Sequence, residues 1–329
     1  MTAAPGGVRL HVVTGKGGTG KTTVAAALAL ALAAGGRRSL LIEVESRQGI
    51  AQLFDTPPLP YEERRVSSAP GGGEVLALAV DPEEALLEYL ELFYNLRRAG
   101  RTLKRLGAVD FATTIAPGLR DVLLIGKVKE AVVRRDATRA SGMAYDAVVL
   151  DAPPTGRIGR FLNVSQHVGG LAKVGPIKTQ SDGVMTVLRD PATAVHFVTL
   201  LEEMPVQETL DGVAALRADG LPTGAVIVNM TRPPLLPRSG PDADGLSASL
   251  RAVGLPSDDR LVAGLLAEAA DHRERLALEE RGREQLLQLD LPLVELPLLP
   301  DAIDLAGLST LAEDLDPVVA LAGGTLVPA

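Results

Sequence analysis

The 329-residue sequence contains no cysteine and no tryptophan, and only 3% of its residues are aromatic. Without thiols the chain can form neither disulfides nor cysteine-ligated zinc or iron–sulfur sites. We therefore expect no zinc and no Fe–S cluster, and the lack of thiols fits a reducing cytoplasm. Leucine, valine and alanine must fill the core, which 46% hydrophobic residues make large.

Positive charge is also scarce, because 33 lysines and arginines face 41 acidic residues and leave a net charge of −8. Nucleic-acid-binding proteins usually carry a basic face, so we predict no nucleic-acid partner. The longest purely apolar run, 24–34, is too short to span a bilayer. Residues 1–8 lack the build of a signal peptide. We expect a cytoplasmic location, with any membrane contact peripheral and made through a partner.

Short β-branched runs alternate with helical stretches, which favours an α/β fold with a mostly parallel central sheet flanked by helices. From 82 to about 139 the pattern is helical, and residues 233–246 are typical of a surface loop. Strands are predicted at 8–14, 39–44, 75–80, 148–151, 195–200, 225–228 and 293–296, and helices at 21–34 and, as one or two, within 258–289.

A phosphate-binding motif, G-x-x-x-x-G-K-[ST], occupies residues 15–22 between the first predicted strand and helix. Glycines there let backbone N–H groups approach the β-phosphate. Lys21 would reach the β- and γ-phosphates, and the Thr22 hydroxyl would bind Mg²⁺. ATP and Mg²⁺ are thus the expected cofactors. The predicted nucleotide-binding residues of this loop are Gly15, Lys16, Gly17, Gly18, Thr19, Gly20, Lys21, Thr22 and Thr23.

The motif and the order of elements predict one P-loop ATPase domain over residues 1–329. A helical subdomain is expected to be inserted in it at about 82–139 and 164–189. Asp151 ends a buried strand, as the Walker B acid of such domains does beside Mg²⁺, usually through a water. The alternative is an acid that only caps a strand–helix turn.

Two features carry a family resemblance that covers residues 9 to about 308. Lys16, a second lysine inside the loop, resembles the deviant phosphate loop of MinD, ParA and the arsenical-pump ATPases. Residues 151–162, DAPPTGRIGRFL, resemble the switch II of the arsenical-pump and tail-anchored-protein-targeting ATPases. The resemblance implies a dimer in which Lys16 reaches the partner's nucleotide like an arginine finger. It also implies that Pro154, Thr155 and Gly156 sense the γ-phosphate; the alternative for Lys16 is a solvated surface lysine.

Switch I departs from the S-T-D-P-A-H of the family that this sequence resembles. Glu45 stands where the family's aspartate positions the attacking water, and Ser46 replaces the proline. The extra methylene lengthens the side chain by roughly 1.5 Å, and a misplacement of about 1 Å can cost on the order of 10²-fold in rate. Either the backbone compensates, or hydrolysis is slow, or Glu45 is a structural acid.

Later segments of the chain resemble family segments that lie near the base or the phosphates of the nucleotide. The resemblance places Glu208 near the nucleotide and makes Asn229 the reader of adenine. An amide suits that role because it donates and accepts hydrogen bonds at once, although Asn229 could instead simply form a turn. Residues 296–301 resemble the loop that lines the base, which assigns Pro297 and Leu299 to the nucleotide site.

The resemblance implies a dimeric ATPase that couples nucleotide-driven conformational change to a client protein or a membrane-associated partner. The dimer partner could be an identical chain or a paralogous ATPase, and a weakly hydrolysing regulatory subunit of a heteromer is the alternative function. Arsenite binding through a cysteine cluster is excluded. A third possibility, a partition protein of the ParA type, would need a basic surface to bind DNA, and the net charge of −8 argues against it. Phe111 and 122–125 could line a client groove, although such stripes are more often packed core.

Overall fold

The computed structural model describes residues 7–45, 48–94, 117–163, 176–234 and 242–322. Within them an eight-stranded sheet runs in the order β3-β4-β2-β5-β1-β6-β7-β8. All neighbouring strands are parallel except β3 and β4, which pair antiparallel. The predicted fold class is confirmed. The strands are β1 Leu10–Gly15, β2 Arg38–Glu43, β3 Arg64–Ala69, β4 Gly73–Ala79, β5 Ala147–Asp151, β6 Thr193–Thr199, β7 Thr223–Thr231 and β8 Leu293–Pro297.

Helices cover both faces of the sheet, as buried parallel strands require. Successive side chains of β1 show this, because Leu10 and Val12 join one apolar cluster while Val13 joins the other. The helices are α1 Lys21–Ala33, α2 Gly49–Leu53, α3 Pro82–Tyr94, α4 Pro117–Val133, α5 Thr155–Leu162, α6 Pro176–Leu188, α7 Glu203–Ala218, α8 Ala243–Ala252, α9 Asp259–Leu287, α10 Leu305–Glu313 and α11 Asp316–Ala322.

Helix α1, which directly follows the phosphate loop, is deeply buried. Every residue from Val24 to Ala33 is buried between the sheet and α10, which explains an Ala/Leu sequence with no polar face. Helix α4 packs against both α3 and α6 on the other side of the sheet. Residues 122–125 are buried there and belong to the core, whereas Phe111 lies outside the described residues.

Two expectations about the elements were wrong, and one strand was not predicted. Residues 64–69 form the edge strand β3, which the sequence pattern did not indicate because only Ser67 and Ala69 are buried. The helical pattern expected to reach about 139 ends at Val133. The expected loop 233–246 already turns into helix α8 at Ala243, where the Asp242 side chain accepts a hydrogen bond from the Gly245 N–H at 2.6 Å.

No helix within the described ranges combines the length and the apolarity that crossing a bilayer requires. Whether α3, α4 and α6 form part of a separate inserted subdomain stays a prediction, since the expected segments 82–139 and 164–189 extend beyond the described residues.

Candidate functional site

The phosphate loop connects the central strand β1 to α1. Gly18 and Gly20 have φ angles of +91° and +85°, a region that glycine alone enters readily. A Cβ on Gly15 would lie 2.1 Å from the Val198 carbonyl oxygen, so the close packing of β6 also requires glycine. The Thr19 hydroxyl donates to the Lys16 carbonyl at 2.9 Å and closes the turn.

The loop points the start of a helix at the place where phosphates would lie. Helix α1 begins at Lys21 and has no acidic residue in its first turn, so its positive end remains available to an anion. Lys21 is buried, while Thr22 and Thr23 are half-buried at the same end. The arrangement is that of a phosphate cradle, as the motif predicts.

Asp151 lies beside this cradle at the end of β5. Its Oδ2 accepts a hydrogen bond from the Thr22 hydroxyl at 2.7 Å. Burial raises the pKa of Asp151 to about 6; the Thr22 hydroxyl and the Lys21 ammonium lower it, and the Glu43 and Glu45 carboxylates raise it further. The two residues predicted to hold Mg²⁺ are therefore in direct contact.

These oxygens fit a magnesium ion. Asp151 Oδ1 is buried and has no hydrogen-bond partner among the described residues, and Thr22 adds a hydroxyl next to it. Mg²⁺ prefers oxygen ligands and usually takes one or two carboxylates together with waters and substrate phosphates. No cluster of three or more His, Cys, Asp or Glu suited to a metal occurs in the part of the chain that the structure describes. A site completed by phosphates needs no such cluster.

Glu45 follows β2 and faces switch II. One of its carboxylate oxygens lies 3.8 Å from an Arg157 Nη atom on α5, and its side chain is 20% exposed. The proximity to Asp151 places Glu45 at the phosphate edge of the sheet. Ser46 lies outside the described residues. The role of Glu45 in positioning water stays a prediction.

The segment predicted to be switch II begins where β5 ends. Pro154 precedes α5, and Thr155 and Gly156 are its first two residues. The Thr14 hydroxyl at the end of β1 donates to the Pro153 carbonyl at 2.8 Å, which fixes the start of this segment against the phosphate loop.

Glu208 on α7 joins the phosphate loop to switch II. Its Oε1 lies 3.1 Å from Lys16 Nζ, and its Oε2 accepts a hydrogen bond from the Thr155 hydroxyl at 3.0 Å. Lys16 and Glu208 are each about a third exposed. The sequence predicted that these three residues lie near the nucleotide, but it did not indicate that one carboxylate connects the other two.

Asn229 lies on β7 against the loop. Its side-chain N–H₂ donates to the Thr19 carbonyl at 2.9 Å, and the residue is buried. A Cβ on Gly20 would lie 2.3 Å from that nitrogen. Asn229 therefore holds the phosphate loop in place, and its reading of adenine stays a prediction.

A cavity of about 690 Å³ opens next to Asn229. Leu298, rather than Pro297 or Leu299, contributes the wall from the loop after β8. Leu299 packs instead against the apolar cluster beneath α1 and α10. The other principal walls come from β7, α7 and α9, through Met230, Thr231, Val206, Arg275, Leu278 and Gly282.

Sequence reasoning missed one acidic residue of this site. Glu43, the last residue of β2, is 2% exposed and is paired in register with Asp151. Its only sequence signal is an acid that directly ends an apolar strand, the same signal that identified Asp151.

Comparison with known proteins agrees with this geometry. Residues 8–180 match the model of the anion-transporting ATPase family. The chain is 55% identical to ATPase BagA of Mycobacterium tuberculosis, over 94% of this chain and 93% of that protein. It is 27% identical to an arsenical pump-driving ATPase of Acidiphilium multivorum, over 72% of this chain and 41% of that protein. It is 26% identical to the ATPase get3 of Schizosaccharomyces japonicus, over 53% and 51%.

Proposed function

Because the chain belongs to the anion-transporting ATPase family, we propose that it binds Mg²⁺-ATP at the phosphate loop and hydrolyses it as a dimer. The hydrolysis cycle would drive a conformational change that acts on a client protein or a membrane-associated partner. The observation that carries the proposal is the contact of Thr22 with Asp151 at the mouth of a glycine-built phosphate loop. A homodimer and a heterodimer with a paralogous ATPase both fit the proposal.

Each residue of the site has a task in this reaction. Lys21 and the N–H groups at the start of α1 neutralise charge on the β- and γ-phosphates. Thr22 and Asp151 would hold Mg²⁺, and the bound ion would supply further neutralisation of the transferring phosphoryl group. Glu45 orients the attacking water, and Asn229 and the adjoining cavity take the adenosine.

Lys16 needs a second subunit for its proposed task. In the single chain its ammonium group is paired with Glu208 of the same chain at 3.1 Å. To act on a partner's nucleotide, Lys16 must leave this carboxylate when two protomers close. Departure of Lys16 would also leave Thr155 of switch II as the remaining hydrogen-bond partner of Glu208.

The first test compares two lysine variants by phosphate release and by binding of a fluorescent ATP analogue. Lys21→Ala should abolish tight nucleotide binding. Lys16→Ala should keep binding and lose turnover by on the order of 10³-fold, since a charge supplied in trans is worth that much. Lys178→Ala, which removes an exposed lysine paired with Asp182 on α6, should leave both unchanged.

Mixing the two variants tests whether Lys16 acts in trans. In a mixed dimer the intact nucleotide site of the Lys16→Ala subunit receives Lys16 from the Lys21→Ala subunit, so turnover should return although neither variant is active alone. Failure of the mixture to recover turnover, with mixed dimers present, would show that Lys16 does not serve the partner's site.

A weakly hydrolysing regulatory subunit is the second candidate. It is favoured by Glu45, whose longer side chain stands in the aspartate's position and lies 3.8 Å from Arg157. In that case the isolated chain would bind ATP with little turnover, and Glu45→Asp would raise the rate. Fast hydrolysis by the unmodified chain alone would eliminate this candidate.

A further inference from the structure

Glu43 and Asp151 form a buried pair of acids at the carboxyl end of the sheet. They are register partners on the parallel strands β2 and β5. Neighbouring strands lie about 4.8 Å apart and registered side chains point to the same face. Glu43 is 2% exposed and Asp151 is 7% exposed. Two carboxylates are thus held side by side, out of water, directly behind the phosphate loop.

Asp151 has two further carboxylates close to it, those of Glu43 and Glu45, and Glu45 also lies 3.8 Å from the Arg157 guanidinium. The positive charge of the Lys21 ammonium stabilises the ionised form of Asp151, whereas the negative charges of the Glu43 and Glu45 carboxylates destabilise it. Burying neighbouring like charges is costly unless a cation is shared between them. The buried Asp151 Oδ1, which has no hydrogen-bond partner among the described residues, is where such a cation, or a water bound to it, finds an acceptor.

Glu43 also contacts the start of α2. Its Oε1 accepts a hydrogen bond from the Gly49 N–H at 3.2 Å, and Gly49 is the first residue of that helix. Gly49 in turn packs on Thr22, because a Cβ built on it would lie 3.2 Å from Thr22 Cγ2. One side chain therefore connects the acid pair to the segment that follows switch I.

We infer that Glu43 is a second carboxylate for the nucleotide's Mg²⁺, acting through a bound water beside Asp151, and that it positions switch I through the Gly49 N–H. The inference rests on the proposed function, since it names a further residue of the same site. Glu43 is a positioning residue: it holds a water of the ion and a backbone group, and it does not touch the reacting phosphate.

The test measures binding of a fluorescent ATP analogue with Mg²⁺ and again in EDTA. Glu43→Gln keeps the shape and an oxygen that accepts from Gly49, but removes the charge. Residues that act on a metal from outside its direct ligands typically contribute 10- to 100-fold in affinity. For Glu43→Gln we expect the Mg²⁺ concentration that gives half of the maximal increase in analogue binding to rise roughly 10-fold or more. The affinity for the analogue in EDTA should stay the same.

Glu74→Gln is the matched control. Glu74 is a glutamate on the neighbouring strand β4, registered with Arg38 at the opposite end of the sheet. It should leave the Mg²⁺ dependence unchanged. Circular dichroism establishes that each variant is folded. Should Glu43→Gln not fold, Glu43→Asp, which keeps a charge on a shorter stem, is the second variant and should show a smaller shift in the same direction.

The outcomes separate this inference from the proposed function. An unchanged Mg²⁺ dependence in folded Glu43 variants, with Mg²⁺-supported binding in the unmodified chain, overturns the role of Glu43 and leaves the ATPase intact. Absence of Mg²⁺-supported ATP binding in the unmodified chain overturns both.

Discussion

Among the single residues of the site, Glu208 has the most informative contacts. Its carboxylate holds Lys16 with one oxygen and the Thr155 hydroxyl with the other. Lys16 cannot serve a partner's nucleotide while it remains there. In the dimer proposed above, a resting chain would have to break this pair before the two protomers close, so the ion pair would add to the barrier of closure.

Glu208→Gln should therefore raise the basal ATPase rate of the dimer. An ion pair between groups about a third exposed is worth roughly 0.2–1 kcal/mol, which corresponds to about a 1.5- to 5-fold acceleration when closure limits turnover. Steady-state phosphate release at saturating ATP measures the change, and Asp211→Asn on the same helix is the control. A lower rate together with weaker ATP binding would mean instead that Glu208 contacts the nucleotide.

Among single residues, those that belong to a recognisable sequence motif were predicted correctly to lie at the site. Lys21, Thr22 and Asp151 lie together as the spacing implies, because one loop and one adjacent strand end bring them together. Two other contacts between distant segments were not predicted: neither the pairing of Glu43 with Asp151 nor the hydrogen bond from Asn229 to Thr19 follows from a local pattern. Those contacts depend on strand order, which a motif does not contain.

At the scale of elements, the neighbouring inner strands β1 and β6 carry a buried histidine pair. His11 and His196 are both 0% exposed, and His11 Nδ1 lies 3.0 Å from His196 Nε2. The Ala225 N–H donates to His196 Nδ1 at 3.1 Å, so His196 carries its proton on Nε2 and donates it to His11. This arrangement exists only while both rings are neutral.

Acid should therefore destabilise the sheet at its centre. Burial lowers the pKa of His11 to about 4 from an ordinary 6.5, and burial together with His11 lowers the pKa of His196. Between pH 6.5 and 4 the unfolded chain binds protons that the folded chain does not, so stability falls as pH decreases. His11 alone should make the free energy of unfolding about 2 kcal/mol smaller at pH 5 than at pH 7.5.

Urea unfolding at the two pH values measures the effect. His272→Gln, a substitution on the surface helix α9, should keep the pH dependence. The double variant His11→Val/His196→Val should lose most of it, whatever its absolute stability. A double variant that loses as much stability between pH 7.5 and pH 5 as the unmodified chain loses would contradict the assignment.

Elements with a strong apolar pattern were predictable, and those stabilised by neighbours were not. The central strands β1, β2 and β5 fall within one or two residues of their predicted bounds, since both of their faces are buried. Strand β3 has little local signal because its pairing with β4 creates it. Helix α8 has no buried residue, so no apolar periodicity reveals it.

At the scale of the whole molecule, the phosphate loop with Lys16, Glu45 and the start of α5 all lie along one edge of the sheet. Parallel strands with buried ends collect functional groups at their carboxyl edge, and β1, β2 and β5 do so here. Gly17 is exposed on this edge, next to the partly exposed Lys16. If two protomers close face to face over their nucleotides, their phosphate loops must approach each other.

The absence of cysteine makes this approach directly measurable. A Cβ on Gly17 would meet no atom within 4 Å, and the same holds for Gly264 on α9, so both positions have space for a cysteine. With a short bismaleimide reagent, Gly17→Cys should form a covalent dimer in the presence of Mg²⁺ and a non-hydrolysable ATP analogue, and much less with ADP, provided that the variant binds the analogue. Gly264→Cys should give no nucleotide-dependent dimer. A Gly17→Cys variant that forms no dimer alone, but cross-links when mixed with a co-purifying ATPase that carries the matching cysteine, would identify the partner as a paralogue. If Gly17→Cys cross-links in neither case, the face-to-face dimer is wrong, and so is the trans role of Lys16.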